Sequence, residues 1–570
     1  MARLGISGAG VRLPEERLHG LRWRLQAMRR LWRPGARPDT LFVNGISPDA
    51  DGIGVLDSPL PGGPVGDRAL WIKGWAGFKT GPTAKVEVWL DERPLGRARL
   101  GYPREDLVGL VDVPQVGVCG FELHADVGEP PAGEQQVRVL ATGPHGETLE
   151  LGPVTVVPAE REPAPAGAPP APVRPPSGAG KAPRVLVITH QLTLGGAQLY
   201  LMDLLKGLLA HDAVEPVVLS SMDGVLRADL EAMGTPVHLT DLTPADSLAG
   251  HLGRVEELAA WAREQRFELA LINTATSVVI PAAEMAERMG IPAIWAIHES
   301  FAPQILWFDL HPEVRERAAA TLSGAAAAVF EAEATEEIYA PLLDGARSHV
   351  LPYGLDLAPI DRARAGFDQT AARRAAGIPE SAQLMVCVGT VEPRKAQVAL
   401  AQAFEAVAAR WPEAELAFVG GRREDPHSMA LAHCIEESPH GDQMRLIPIT
   451  PDIEQWYGMA DLLVCASDVE SLPRTVLEAM AWETPVLATS VFGLPELIED
   501  GVTGWLCEAG DIRQLADGMN RALAVPAEER RQVAERARAL VAERHSLERY
   551  SEQIAELLER ALTGSGKSAS

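Results

Sequence analysis

The sequence predicts an α/β architecture of two doubly wound units in tandem, preceded by an all-β sandwich. Three observations carry this reading. Short alternating apolar segments punctuated by Gly, Pro and Asp run from about residue 39 to 157. A Pro/Ala/Gly-rich stretch follows. Beyond it, buried-strand runs alternate with helical stretches, and that rhythm restarts after LPYGLD (Leu351–Asp356). Strand and helix alternation implies parallel sheets covered on both faces.

A chain of 570 residues has room for several domains, each with its own core. Its 52 Lys+Arg against 78 Asp+Glu give a net charge of -26, which argues against a general nucleic-acid partner. Cys119, Cys387, Cys434, Cys465 and Cys507 show no CxxC spacing, so neither a zinc site nor a disulfide framework is expected. No apolar run approaches a membrane-spanning length, and the first residues lack the apolar core of a signal peptide. A cytoplasmic protein is expected.

The first element, in a segment spanning 1–38, is RLHGLRWRLQAMRRLWRPG (Arg17–Gly35). Leu18, Leu21, Leu25 and Met28 recur at helical spacing among arginines. Such a basic amphipathic helix fits an anionic membrane surface, through residues 15–34, or a neighbouring domain. In the sandwich, 39–157, the runs ALWIKGWAGF, AKVEVWLDE, CGFELHAD and QQVRVLATG read as strands. Together with RARLGYPRED, these phrases resemble the small β-sandwich modules attached to some bacterial sugar-processing enzymes. Trp71, Trp75 and Trp89 are candidates for a sugar-stacking platform, although alternating tryptophans in a sandwich are more often core.

Residues 158–183 carry no apolar periodicity and read as an extended linker, up to roughly 80 Å long at ~3.1 Å per residue. The sandwich is therefore expected to be tethered rather than fused. The first α/β unit is placed at 184–355 and the second at 356–540. A helix at 541–562 is expected to pack back on the first unit, and 563–570 to be a disordered tail.

Several residues sit where strands end. Gly195-Gly196 opens a helix, and its bare backbone suits close approach of an anion or a tight turn. His298 and Glu299 end the strand PAIWAIHES, where a histidine can donate to a phosphate or hydroxyl, or where the pair can cap the next segment. In GTVEPRKAQ, starting at Gly389 and Thr390, Arg394 and Lys395 open a helix whose dipole disfavours cations. That placement favours a bound diphosphate over simple solvation. In ESLPRTVLE, Pro473 suits a first helical turn. Amides near Ser471, Leu472 and Thr475 then face the crevice, with Glu470 before the helix and Glu478 within it. The competing reading pairs Glu478 with Arg474 in solvent.

The segment ESLPRTVLEAMAWETPVLATSVFGLPELIEDGVTGWL resembles the glutamate–seven–glutamate region of retaining GT-B glycosyltransferases of family 4. GGAQ, IHE, LPYGLD and VGTVEPRKAQ follow that family's order, so the resemblance covers about Val185 to Leu562. It implies two facing Rossmann-like domains, an acceptor domain then a donor domain. It also implies transfer of a hexose from a nucleotide-diphospho-sugar to an acceptor hydroxyl with retained configuration. Arg394 and Lys395 would hold the diphosphate, Glu470 the hexose, Glu478 the ribose, and His298 the sugar or its developing charge. Gly195 and Gly196 would approach from the opposite domain. Two cations and a helix terminus imply no metal and no further cofactor. A glycan, lipid-linked or polysaccharide acceptor is expected from the basic helix and the sandwich. Its contacts should come from SFAPQILWFDLHPEV. Glu483 departs from the glycine common in the family. A nucleotide-sugar epimerase on the same fold, or a non-catalytic scaffold, are the alternatives. The epimerase should lack the ESLPRTVLE and RK pattern, and the scaffold should have lost Glu470, Arg394 or Lys395.

Overall fold

Alternate residues of Lys85–Leu90 and of the first half of Gly52–Ser58 point into a core between two stacked sheets. A computed structural model of the chain describes residues 43–46, 52–59, 63–65, 69–104, 107, 113–127, 133–158, 182–245 and 247–563. One sheet orders Val43–Ile46, Gly52–Ser58, Ala69–Phe78, Gly120–Asp126 and Arg99–Tyr102. The other orders Gly63–Val65, Thr148–Pro158, Gln135–Thr142, Lys85–Leu90 and Arg93–Arg97. The basic N-terminal segment, with the membrane contact expected at 15–34, the linker interior and the tail lie outside the described residues.

The first α/β lobe has seven parallel strands. Their order is Val237–Leu239, Glu215–Met222, Arg184–Gln191, Leu269–Ile272, Ala293–Ile297, Ala327–Phe330 and Ser348–Val350. The second has six, ordered Met444–Pro448, Ala414–Gly421, Gln383–Val388, Leu462–Cys465, Val486–Thr489 and Trp505–Cys507. In each sheet the winding direction reverses beside the lobe's first strand. Ligands of such sheets bind at this switch point, beyond the strand C-termini. In the second lobe the loops starting at Gly389 and Ala466 flank it. The last helix, Leu547–Thr563, lies on the first-lobe helix Gly196–Ala210, with Tyr550 buried beside Tyr200.

The expected loose tether is corrected by the structure: the sandwich packs on the second lobe. Leu100, Val118 and Phe121 share one apolar core with Val398, Phe404 and Leu431. Ile512 N donates to Ala84 O at 2.9 Å, and Gln402 Nε2 to Gln115 Oε1 at 2.5 Å. Arg97 pairs with Glu508 at 2.7 Å. Gly101 is required here: its φ is +82°, and a Cβ would meet Val398 Cβ at 2.7 Å. The linker's length bounds only how far the sandwich can travel, whereas apolar area on the helix Gln397–Arg410 decides where it rests. That helix is buried nearly all round, including Gln397 and Gln402.

Candidate active site

The strand Gln383–Val388 delivers Gly389 in a positive-φ conformation (+140°), and Lys395 folds back across it. Any Cβ at 389 would crowd the lysine's Cδ, Cε and Nζ at 3.3 Å. The turn Pro393–Lys395 is closed by Ala396 in a left-handed conformation, φ 52°. Thr390 Oγ1 donates to Glu392 Oε1 at 2.6 Å, and Arg394 Nε donates to Glu392 Oε2 at 3.0 Å. Thr390 therefore acts through Glu392 to hold Arg394.

The second loop docks on the first, with Asp468 N donating to Arg394 O at 2.8 Å. Three donors then converge on Glu470 Oε2: Arg394 NH1 at 3.1 Å, Lys395 Nζ at 3.3 Å and Ser467 Oγ at 3.1 Å. Burial alone would raise the Glu470 pKa, but Lys395 and Arg394 outweigh it and hold the group at about 2. It stays a carboxylate, with these bonds gathered on one oxygen. Leu472 is buried beside it, and Thr475 lies in the first turn of the helix Arg474–Ala481. That helix has no side-chain cap, so its first amides are available to an anion.

Glu478 does pair with Arg474, at 2.5 Å, but not in solvent. Arg474 reaches into the first lobe, donating to Asp203 Oδ2 at 2.6 Å and to the Tyr353 hydroxyl. Tyr457 OH donates to Glu478 Oε2 at 2.8 Å. Each carboxylate oxygen retains a lone pair for a further donor. Asp203, Tyr353, Tyr457 and Arg474 were not singled out from the sequence. Asp203 had a signal, a carboxylate in the otherwise apolar AQLYLMDLLKGLLA, where burial demands a cation.

Facing this cluster, Gly195 precedes the helix Gly196–Ala210 with no side-chain cap, and a Cβ at Gly196 would meet open space. His298 is enclosed. Its Nδ1 lies 2.8 Å from Glu331 Oε1 and its Nε2 3.1 Å from Asn273 Oδ1, with Tyr200 edge-on at 4.3 Å. Burial lowers its pKa, but the Glu331 charge and hydrogen bond more than reverse that, giving a net raised value. Two acceptors make an imidazolium the consistent state. Both ring nitrogens are thus occupied, unlike the expected free donor to a sugar. Glu299 caps the Thr274–Ala275 turn, accepting from Ala275 N at 2.9 Å. His190, at the end of the first strand, was also missed; its buried Nδ1 has no partner.

Ser471 turns toward the other lobe. Its hydroxyl meets Thr335 Oγ1 at 3.0 Å, which meets Ser300 Oγ at 2.8 Å. Glu496 accepts from Glu333 N and Ala334 N, both at 2.9 Å, capping a first-lobe helix. These links place the His298–Ser300 and Glu470–Ser471 segments face to face. Gly389, Thr390, Arg394, Lys395 and Glu470 form one cluster, Glu478 a second on the same helix, and Gly195, Gly196 and His298 the opposing wall. A separate cleft of about 720 Å³ lies at the seam of sandwich and second lobe. Its lining includes Glu405, Glu437 and Arg513 but neither Arg394 nor Lys395.

The family described as Glycosyltransferase Family 4 matches residues 194–359, and Glycosyl transferases group 1 matches 368–540. Each lobe is thus similar to a glycosyltransferase family, the first to Family 4 and the second to group 1. Among curated relatives, a D-inositol 3-phosphate glycosyltransferase of Thermobispora bispora is 35% identical over 166 residues, 28% of this chain and 39% of that protein. An N-acetyl-alpha-D-glucosaminyl L-malate synthase of Bacillus anthracis is 30% identical over 186 residues, 33% of this chain and 48% of that protein. The chain thus spans less than half the length of these relatives. Anabaena HepE in complex with UDP and glucose superposes with a TM-score of 0.56 at 22% identity, covering 66% of this chain and 99% of that one. Sucrose-phosphate synthase from Thermosynechococcus elongatus gives 0.56 at 17% identity, covering 67% and 100%. These likenesses establish the GT-B fold.

Glu483 stands in a left-handed conformation, φ +57°, that glycine adopts without strain. Its carboxylate pairs with Arg364 at 2.5 Å.

Proposed function

We propose that the chain is a retaining hexosyltransferase that moves a sugar from a nucleotide-diphospho-sugar to a hydroxyl of a glycan or lipid-linked acceptor. The observation that carries this reading is the convergence of Lys395, Arg394 and Glu470 at the switch point, beside an uncapped helix terminus. Lys395 and Arg394 meet the diphosphate and stabilise the charge it gains on departure. The free oxygen of Glu470 accepts from hexose hydroxyls, and Glu478 from those of the ribose. Gly196 lets the donor and acceptor approach the first lobe closely. His298, fixed as a cation by Glu331, sets the field on the acceptor side rather than exchanging protons.

In this mechanism the bond from the anomeric carbon to the phosphate oxygen breaks. The acceptor oxygen bonds to the same face, and its proton passes to the departing phosphate. No enzymic base and no metal are required, because the cations and helix dipole neutralise the leaving group. HepE, bound to UDP and glucose, supports a uridine nucleotide as the first donor to try. The basic segment at 15–34 would bring the enzyme to the inner face of an anionic membrane.

The test is release of nucleoside diphosphate from a panel of nucleotide-sugars, followed by assignment of the product anomer by NMR. Release with retained configuration supports the reading. Tight binding with no release from any donor and acceptor pair contradicts it.

A further inference from the structure

The sandwich does more than rest on the second lobe. Its strand Arg99–Tyr102 lies against the Pro393–Lys395 turn that carries the candidate cations. The Arg99 guanidinium stands 5.9 Å over the ring of Phe301, three residues beyond His298. The adjacent strand, Gly120–Asp126, touches the first-lobe helix Pro303–Leu306. One edge of the sandwich therefore spans the mouth of the crevice and meets the loop after His298.

A line of rings runs outward from that junction. His124 lies 6.3 Å from Phe308 of the first lobe and 5.7 Å from Trp71, edge-on, on the sandwich. Trp71 is 48% exposed and Phe308 64%, and they are the only aromatics among the exposed large apolar side chains of the described residues. Trp75 is buried and Trp89 lies in the other sheet, so the three tryptophans share no platform. The Trp71 indole is held by its edge: Nε1 donates to Glu122 Oε1 at 2.5 Å, an oxygen that His124 Nε2 also approaches at 3.1 Å. Lys73 sits 5.8 Å from the ring centre.

Two exposed aromatic rings separated by polar groups do not make the contiguous apolar patch that a protein partner requires. They match the alternation of a sugar chain, whose C–H faces stack on rings while its hydroxyls meet the charged rim. We propose that Trp71, His124 and Phe308 form a subsite for a glycan chain, which leads past Phe301 and Arg99 to the transfer site. Its role as an acceptor site rests on the transferase reading above; the binding itself does not.

The experiment is affinity electrophoresis of the full chain through gels containing dextran, mixed-linkage β-glucan, galactomannan or xanthan. It is run beside nucleoside diphosphate release from donor without acceptor. Retardation by at least one polysaccharide is expected. Trp71→Ala and Phe308→Ala should each weaken it about tenfold, and Trp71→Phe should restore most of it. Acceptor-free release should be unchanged in the two Trp71 variants. No retardation of the parent by any polysaccharide, or equal retardation of parent and alanine variants, overturns the proposal. Trp71-dependent retardation, with no nucleotide release from any donor even when the retarding polysaccharide is supplied as acceptor, would leave the glycan track standing and sink the transferase reading.

Discussion

Replacing Lys395 by alanine isolates the charge argument. Arg394 and Lys395 stand against Glu392 and Glu470, so the cluster is balanced; without Lys395 it carries an excess negative charge. A phosphate oxygen ~4 Å from the lost ammonium forfeits about 4 kcal/mol at an effective dielectric near 20. The Lys395 side chain is only 14% exposed, so solvent screens little of this. Part of the attraction is shared by bound donor and transition state. The loss in kcat is therefore expected at about 10²–10³-fold, the scale for removing one preorganised charge donor. The assay is nucleoside diphosphate release at saturating donor, with a thermal melt of the same preparation. Arg394 still partners Glu470, so the melting temperature should stay near the parent's, and Lys395→Arg should recover part of the turnover. A Lys395→Ala protein with turnover within about threefold of the parent refutes the reasoning.

Further outcomes follow from other groups. Arg474→Met leaves Glu478 without its cation and Asp203 with only the more exposed Lys206 at 3.6 Å, and should cost about 3 kcal/mol of stability by thermal unfolding. An unchanged melt would show that the network does not join the lobes. Glu478→Gln should raise the donor KM by about tenfold with little change in kcat, since it removes a charged acceptor used equally in ground and transition states. A pure kcat effect would contradict ribose binding. Asp468 is raised by burial, against the opposing pull of Arg99 and the Gly510 amide, from an ordinary 3.8 to about 7. The folded state therefore holds its proton more tightly. That stabilisation is complete below about pH 4 and is lost as pH rises through about 7. Asp468→Asn should flatten the melting temperature across that window; a profile like the parent's would contradict it. Deleting residues 1–36 should lower recovery with anionic vesicles, and unchanged partitioning would assign that segment to a protein surface.

The two parallel sheets were legible because buried strands read as continuous apolar runs, and RVLVITH and QLMVCV are such runs. The Glu470, Arg394 and Lys395 cluster was legible because each residue sits just past a strand end, where chemistry outweighs folding cost. Two things were not. The pairing of Arg474 with Asp203 joins groups 271 positions apart. Local spacing offers Glu478 as the nearer partner, and Arg474 takes both. The docked sandwich was also missed, because a linker's composition reports reach and not contact. QVALAQAFEAVAARW, apolar on nearly every face, held the missing signal: such a helix needs cover on its outer side too. His298 was read from its place on the strand, and its enclosure by Glu331 and Asn273 depends on neighbouring strands.

The most direct test of the central claim is a crystal structure of the chain with UDP and an unreactive donor analogue. The pyrophosphate should lie within hydrogen-bonding distance of Lys395 Nζ and the first amides of the helix Arg474–Ala481, with the sugar against Glu470 and the ribose against Glu478. A nucleotide seated away from Lys395, or in the seam between sandwich and second lobe, would contradict it.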